Sequence, residues 1–130
     1  MKCLDTDLLI AILRGKQEAY NIAIEIEQET KAATTVINAF EIFYGAYKSQ
    51  MKNQNIKETD KLLGKLEVIP LELESARKAA EISEKLAEKG QPIDYRDAMI
   101  AAIAIENDLT LFTRNKAHFD RIKDLKLQTW

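Results

Sequence analysis

The chain has 130 residues, of which 46% are hydrophobic and 31% are charged, a composition typical of a folded globular domain. One cysteine and one histidine are too few for a Cys/His zinc site or an internal disulfide. The formal net charge of −2 gives no overall basic footprint of the kind that many nucleic-acid-binding proteins carry. No apolar run approaches the roughly 20 residues of a membrane-spanning helix. We therefore expect one cytoplasmic domain over residues 1–130, with no membrane contact.

The first half of the chain alternates short apolar stretches with amphipathic ones. Residues 2–6 predict a buried strand, in which Cys3 is a small core residue. Helices are predicted from about residue 8 to 13 and from 16 to about 29, and a second strand at 31–34. Thr35 is a good N-cap for the helix that follows.

This third helix carries a stripe of large apolar side chains, which we expect to belong mostly to the core. The stripe comprises Val36, Ile37, Phe40, Phe43, Tyr44 and Tyr47. Tyr44 is also a candidate for lining a cleft. Glu41 lies at the edge of the stripe, one helical turn from Ile37.

The second half of the chain continues the alternation. Helices are predicted over residues 56–66, 75–89 and 94–105, and strands over 67–71, 109–113 and 125–129. The helix from residue 94 is acidic at its start and apolar afterwards, which places it in the middle of the domain. The whole pattern predicts an α/β fold with a mainly parallel central sheet of four to five short strands flanked by helices.

Carboxylates follow the predicted strands. Asp5 and Asp7 come after the first strand, Glu41 lies in the helix after the second, Asp94 and Asp97 begin the central helix, and Asn115 follows the fourth strand. Parallel sheets bind ligands at the carboxyl ends of their strands, so these side chains should share one edge. Mg²⁺ and Mn²⁺ take such oxygen ligands and keep several waters. The predicted chemistry is metal-assisted hydrolysis of a phosphate ester.

Four motifs, in order along almost the whole chain, resemble the PIN domain and, more closely, the VapC toxins of type II toxin–antitoxin systems. They are Asp5–Ile10, Thr35–Gly45, Asp97–Ala102 and Thr113–Asn115, the last followed by His118 and Phe119. The resemblance implies a PIN-like three-layer fold and a Mg²⁺-dependent endoribonuclease, with Mn²⁺ as an alternative ion. It also implies two protein partners, a VapB-type antitoxin that holds the toxin inactive and a second copy in a homodimer.

The resemblance assigns roles to individual residues. Asp5 and Asp97 match the principal metal ligands, and Glu41 matches the helix acid that serves as ligand or water-orienting base. Thr6 and Thr113 match positions that shape the site. Asn115 stands where many PIN domains have Asp, which weakens the case for two tightly bound metals. Asp94 and Asp120 are further acids near these motifs.

Several of these residues also have a purely structural interpretation. Asp94 would cap the central helix, and the negative charge of Asp97 in its first turn would interact favourably with the helix dipole. Asp7 fits the N-cap of a helix that starts at Leu8 somewhat better than it fits a metal ligand. His118 is expected to be structural or to face RNA.

RNA phosphates require positive charge close to the site. The candidates are Arg14, Lys16, Lys48, Lys52, Arg96, Arg114 and Lys116. Surface cations are often only solvated, so this set is a hypothesis about the rim of the site.

Two other functions fit parts of the sequence. In a phosphatase of the haloacid-dehalogenase type, Asp5 of the Asp-x-Asp motif would be the nucleophile and Asp94-x-x-Asp97 a late acidic motif. That family needs a Thr or Ser strand end and a lysine between these motifs, and Thr113 comes too late. The second alternative is a non-catalytic PIN-like module that acts through protein contacts, for which Asn115 is the argument.

Overall fold

The computed structural model describes residues 1–29 and 31–130, and over these residues it contains five strands and seven helices. In chain order they are β1 (Lys2–Leu4), α1 (Thr6–Leu13), α2 (Gln17–Glu29), β2 (Ala33–Thr35), α3 (Val36–Lys48), α4 (Lys52–Leu63), β3 (Glu67–Ile69), α5 (Leu73–Glu88), α6 (Tyr95–Glu106), β4 (Thr110–Phe112), α7 (Lys116–Phe119) and β5 (Lys126–Gln128). The predicted strands and long helices are all present. The largest boundary error is α4, which begins four residues before the predicted residue 56.

The described strands form one parallel sheet in the order β3-β2-β1-β4-β5. This arrangement confirms the predicted α/β fold. Chain order runs outward in both directions from β1, so β1 and β4 are neighbours although they are far apart in sequence. The crevice at the carboxyl ends of two such strands is where open α/β sheets bind ligands. Asp5 follows β1 and Thr113 follows β4 at this point.

Apolar side chains cover both faces of the sheet. Cys3 and Leu111 point into a core built with α5, α6 and α7, whereas Leu4 and Phe112 point into a core built with the first four helices. This alternation is the period of two that a strand imposes on its side chains. Burial raises the pKa of the Cys3 thiol to about 12, so the cysteine is a neutral core residue as predicted. The result is a three-layer fold.

Most aromatic residues of the α3 stripe lie outside the core, contrary to expectation, whereas Ile37 packs against the core and Phe43 is half-buried. Phe40, Tyr44 and Tyr47 are 57%, 50% and 61% exposed. The helix instead buries a row of smaller side chains, Asn38, Ala39, Ile42 and Ala46, against the rest of the domain. Small residues let the helix approach its neighbours closely, and these three aromatic side chains lie on the adjacent, outward face.

Within residues 1–29 and 31–130, none of the helices combines the length and the apolar character that crossing a bilayer requires.

Candidate active site

A pocket of about 380 Å³ opens at the carboxyl ends of β1 and β4. Its lining residues are Asp5, Thr6, Asp7, Ile10, Glu41, Asp97, Arg114 and Asn115. The four residues predicted to be catalytic therefore meet at one place, although they come from four separate segments of the chain. Asp94 is not among the lining residues.

Asp5 is the buried acid of this pocket. One carboxylate oxygen, Oδ1, accepts a hydrogen bond from the Asn38 amide at 2.9 Å, and Oδ2 accepts one from the Thr113 hydroxyl at 2.7 Å. Burial raises the pKa of Asp5 to about 6, against the opposing effect of the Thr113 hydrogen bond, and the negative charge of Asp7 adds to the rise. The site thus holds a carboxylate whose charge is poorly compensated.

Asn38 connects three of the pocket's polar groups and was not among the site residues predicted from the sequence. Its Nδ2 lies 2.9 Å from both Asp5 Oδ1 and the Thr6 hydroxyl oxygen, and its Oδ1 accepts from the Thr35 hydroxyl at 2.7 Å. The Thr6 hydroxyl in turn donates to Glu41 Oε1 at 2.8 Å. Asn38 is fully buried, so these bonds replace water for every polar atom it carries. The available signal was its position, three residues after the N-cap Thr35 and three before Glu41.

Asp97 enters the pocket from the first turn of α6 and is half-buried. Burial, followed by repulsion from Asp94, raises the pKa of Asp97 above its ordinary value. His118 Nδ1 lies 3.5 Å from Asp97 Oδ2 and 2.9 Å from the Asn115 amide nitrogen. Asn115 can donate only to an Nδ1 that carries no proton, whereas an Nδ1 that carries a proton can donate to Asp97. These two contacts place His118 at the rim of the pocket, beside Asp97.

Asp7 does not cap a helix starting at Leu8, because α1 begins at Thr6 and Asp5 occupies the N-cap position. The Asp7 carboxylate accepts a hydrogen bond from the Arg114 backbone N–H at 2.8 Å. Its Oδ2 also lies 3.1 Å from the Thr113 hydroxyl, whose single proton is directed to the closer Asp5 Oδ2. The indole N–H of Trp130 approaches it at 3.4 Å. Asp7 therefore ties the turn after β1 to the loop after β4.

Two of the predicted basic residues contact the pocket's acids or their neighbours. Arg96 lies 3.1 Å from Asp94 and 3.7 Å from Glu41, so it spans the pocket edge. Asp94 caps α6 by accepting a hydrogen bond from the Arg96 backbone N–H at 2.8 Å, and the contacts with Arg96 lower the pKa of Asp94. Arg114 pairs with Glu18 at 2.7 Å, and its guanidinium carbon lies 3.8 Å from the ring centre of Trp130.

The other basic candidates are surface residues. Arg14, Lys16, Lys48, Lys52 and Lys116 are exposed and do not line the carboxylate pocket. The ammonium of Lys48 lies over the ring of Tyr44, 4.4 Å from its centre.

The donor atoms of the pocket suit a hard divalent cation. Carboxylates of Asp5, Asp7, Glu41 and Asp97 and the amide of Asn115 offer oxygen ligands, which Mg²⁺ prefers. In the described part of the chain, no three acidic, histidine or cysteine side chains converge closely enough to enclose a metal by themselves. Mg²⁺ does not need such a cage, because it keeps several waters and binds through one or two carboxylates. Burial is the largest cause of the raised pKa values of Asp5 and Asp97, and a bound cation would favour the charged form of both carboxylates.

Comparison with known proteins decides the family. The sequence profile of the PIN domain matches residues 2–125. The chain belongs to the PIN domain family. It is 32% identical over 129 residues to ribonuclease VapC2 of Rickettsia felis, covering 98% of this chain and 96% of that protein. It is 28% identical over 127 residues to the tRNA(fMet)-specific endonuclease VapC of Shigella flexneri, with the same two coverages.

Solved structures agree with this assignment. VapBC2 from Rickettsia felis, bound to a DNA fragment from its promoter, contains a chain that matches with a TM-score of 0.92 at 30% identity, over 99% of this chain and 98% of that one. DNA-bound VapBC from Salmonella typhimurium matches with a TM-score of 0.90 at 28% identity, over 100% and 98%. Membership of the PIN family decides against the phosphatase alternative. The described residues that line the pocket also include no lysine, which that alternative requires.

Proposed function

We propose that this PIN-domain protein is a metal-dependent endoribonuclease and the toxin of a VapBC-type toxin–antitoxin system, acting in the cytoplasm. The observation that carries the proposal is the meeting of Asp5, Glu41, Asp97 and Asn115 around one pocket. The names of the relatives, ribonuclease VapC2 and endonuclease VapC, support RNA as the substrate.

Asp5 and Asp97 would hold the cation, which we take to be Mg²⁺ with Mn²⁺ as an alternative. When bound, such a cation neutralises phosphate charge and lowers the pKa of its water ligand. Asn38 and Thr113 hold the Asp5 carboxylate in one orientation through hydrogen bonds to its two separate oxygens. This fixed position means that the acid needs little rearrangement on binding.

Glu41 is the residue that we assign to the attacking water. The Thr6 hydroxyl donates to Glu41 Oε1 at 2.8 Å, which fixes the carboxylate and leaves Oε2 near Arg96. In hydrolysis, the water oxygen bonds to phosphorus and Glu41 accepts the proton that the water loses. The bond from phosphorus to one ribose oxygen breaks, and that oxygen leaves with the bonding electron pair and takes a proton from solvent. Asn115 would donate from its amide to a non-bridging phosphate oxygen.

We also propose two protein partners, a VapB-type antitoxin and a second copy of the chain. The solved VapBC complexes support the first, since the matching chains were found in complexes of that name. The exposed aromatic residues Phe40, Tyr44 and Tyr47 form an apolar face on the helix that carries Glu41. An apolar face of this kind is typical of a protein contact surface.

The test of this function compares two substrates, each with and without Mg²⁺. A labelled single-stranded RNA should be cut into fragments only with the ion present, and p-nitrophenyl phosphate should not be hydrolysed. Hydrolysis of the monoester alone would indicate a phosphatase, and inactivity on both substrates would indicate a non-catalytic module.

A further inference from the structure

A second pocket, of about 280 Å³, is formed by α5 and the segment that follows α7. It shares no lining residue with the carboxylate pocket. Lys78 and Lys85 come from α5, Lys89 is the residue directly after this helix, and Arg121 and Lys123 come from the segment after α7. We refer to the site formed by these five cations as the basic pocket.

The basic pocket carries more positive charge than its own acids compensate. Its lining contains two carboxylates, of which Glu81 is shared between Lys78 at 3.4 Å and Lys85 at 3.1 Å. Over residues 1–29 and 31–130, no carboxylate oxygen lies within 4.0 Å of a side-chain nitrogen of Lys89, Arg121 or Lys123. This local excess stands out in a chain whose formal net charge is −2. A pocket lined by several cations and few carboxylates favours the binding of an anionic ligand.

Arg121 is held in place by hydrogen bonds to uncharged groups, so these contacts do not compensate its positive charge. Its Nε donates to the His118 carbonyl at 3.0 Å and its Nη1 donates to the Gln91 carbonyl at 2.8 Å. Arg96 and Arg114 instead pair with carboxylates. A guanidinium has five N–H donors, so two bonds to neutral carbonyls leave donors and the full charge for a ligand. Phosphate matches this fixed geometry well.

The same short segment links the basic pocket to the active site. His118, whose carbonyl holds Arg121, has its ring nitrogen 3.5 Å from Asp97. A polynucleotide with one phosphate at Asp97 has further phosphates along its strand, and those need cations beyond the carboxylate pocket. We propose that the basic pocket binds backbone phosphates of the RNA substrate outside the bond that is cut. This inference rests on the proposed function, because it assigns a second contact to the same substrate.

The experiment measures RNA binding apart from cleavage. The double variant Lys89→Gln/Lys123→Gln removes two cations of the basic pocket, and Lys57→Gln/Lys61→Gln removes two exposed cations of α4 as a matched control. Fluorescence anisotropy with a single-stranded RNA in EDTA gives the affinity at several KCl concentrations. Each lost phosphate contact lowers the slope of log K against log[salt] by about 0.7, so the pocket variant should lose about 1.4 and the control none. With Mg²⁺ restored, the pocket variant should show a raised KM and an unchanged kcat.

Equal salt slopes for the wild type and both double variants would overturn the inference, as would an equal loss in the two variants. Binding of inorganic phosphate that depends on Lys89 and Lys123, with no change in the RNA slope, would also overturn it in favour of a small-anion site. Wild-type cleavage measured in the same series separates the two proposals. If the wild type cleaves RNA but the salt slopes of binding are equal, only the proposed role of the basic pocket is contradicted. If the wild type does not cleave RNA, the proposed function is contradicted, and the salt slopes still show whether the basic pocket binds RNA.

Discussion

The side-chain amide of Asn38 donates a hydrogen bond to the Asp5 carboxylate over 2.9 Å, which joins the first turn of α3 to the end of β1. The same nitrogen lies 2.9 Å from the Thr6 hydroxyl, which donates to Glu41. One buried side chain thus fixes an acid proposed to hold a metal and, through Thr6, the acid proposed to orient water. Because the carbonyl of the amide is occupied by Thr35, the side chain has one orientation.

Substitution of Asn38 by Ala should therefore impair both stability and activity. Removing the amide leaves buried partners unsatisfied, which lowers the free energy of unfolding by about 1–3 kcal/mol. Cleavage of RNA should fall as well, because Asp5 and Thr6 lose their common donor. Thr59→Ala is the control, since Thr59 is equally buried but lies in α4 outside the pocket. Urea denaturation gives the free energy of unfolding, and initial rates of RNA cleavage are measured where both variants are folded. Equal cleavage rates for the two variants would show that Asn38 does not position the acids of the pocket.

The pKa of Asp5 predicts a definite dependence of stability on pH. This pKa is about 6 in the folded protein against an ordinary value of 3.8, so the folded state retains a proton there that the unfolded chain releases. The contribution of Asp5 to stability is fully present below pH 3.8 and is lost as the pH rises through 6. The difference between the two pKa values corresponds to about 3 kcal/mol.

The measurement is urea denaturation of the wild type and of Asp5→Asn in EDTA from pH 4 to pH 7. Asn cannot ionise, so the stability of the wild type relative to the variant should decrease over this range. Asp97 also has a raised pKa, but it titrates in both proteins and cancels in the difference. A difference that stays constant with pH would show that Asp5 titrates normally.

A divalent cation should raise the melting temperature of the metal-free protein. Its ligands are assembled only in the native state, and a ligand present at 100 times its Kd stabilises by about 2.7 kcal/mol. Thermal unfolding in EDTA and in millimolar Mg²⁺ or Mn²⁺ gives the shift. Asp97→Asn should abolish most of it, whereas Asp60→Asn, at an exposed position of α4, should not. The absence of any shift for the wild type would argue against a metal site at this pocket.

Arg96→Ala tests the basic rim of the active site. Arg96 is half-exposed and its ion pairs with Asp94 and Glu41 are screened by solvent, so the melting temperature should hardly change. The KM for RNA should rise, and the salt slope of binding should fall by about 0.7, if the guanidinium contacts one phosphate. Arg77→Ala removes a comparable exposed ion pair on α5, with Glu74, and should leave both quantities unchanged. An unaltered KM for Arg96→Ala would remove this residue from the rim.

The parts of the fold and site that the sequence predicted depend on local pattern. The apolar run after Asp97 identified the buried helix α6, and the rule for parallel strands placed Asp5, Glu41 and Asn115 at one sheet edge. The prediction that the aromatic stripe of α3 belongs mostly to the core was wrong, because helical spacing groups residues on one face of a helix without indicating which face is buried. The basic pocket could not be predicted, since Lys89 and Lys123 meet only after folding. The contact of Trp130 with Asp7 joins residues 123 positions apart, for which spacing carries no signal.

Metal-dependent catalysis at the carboxylate pocket is tested most sharply by comparing RNA cleavage by Asp97→Asn with that by Asp94→Asn. Both residues lie at the start of α6, and both substitutions replace a carboxylate by an amide of the same shape. Asp94 caps the helix outside the pocket, a role that Asn fills equally well, whereas Asp97 lines the pocket. We predict that Asp97→Asn folds but loses metal-dependent cleavage and that Asp94→Asn cleaves like the wild type. Undiminished cleavage by Asp97→Asn would show that RNA is not cut by a metal ion bound at this pocket.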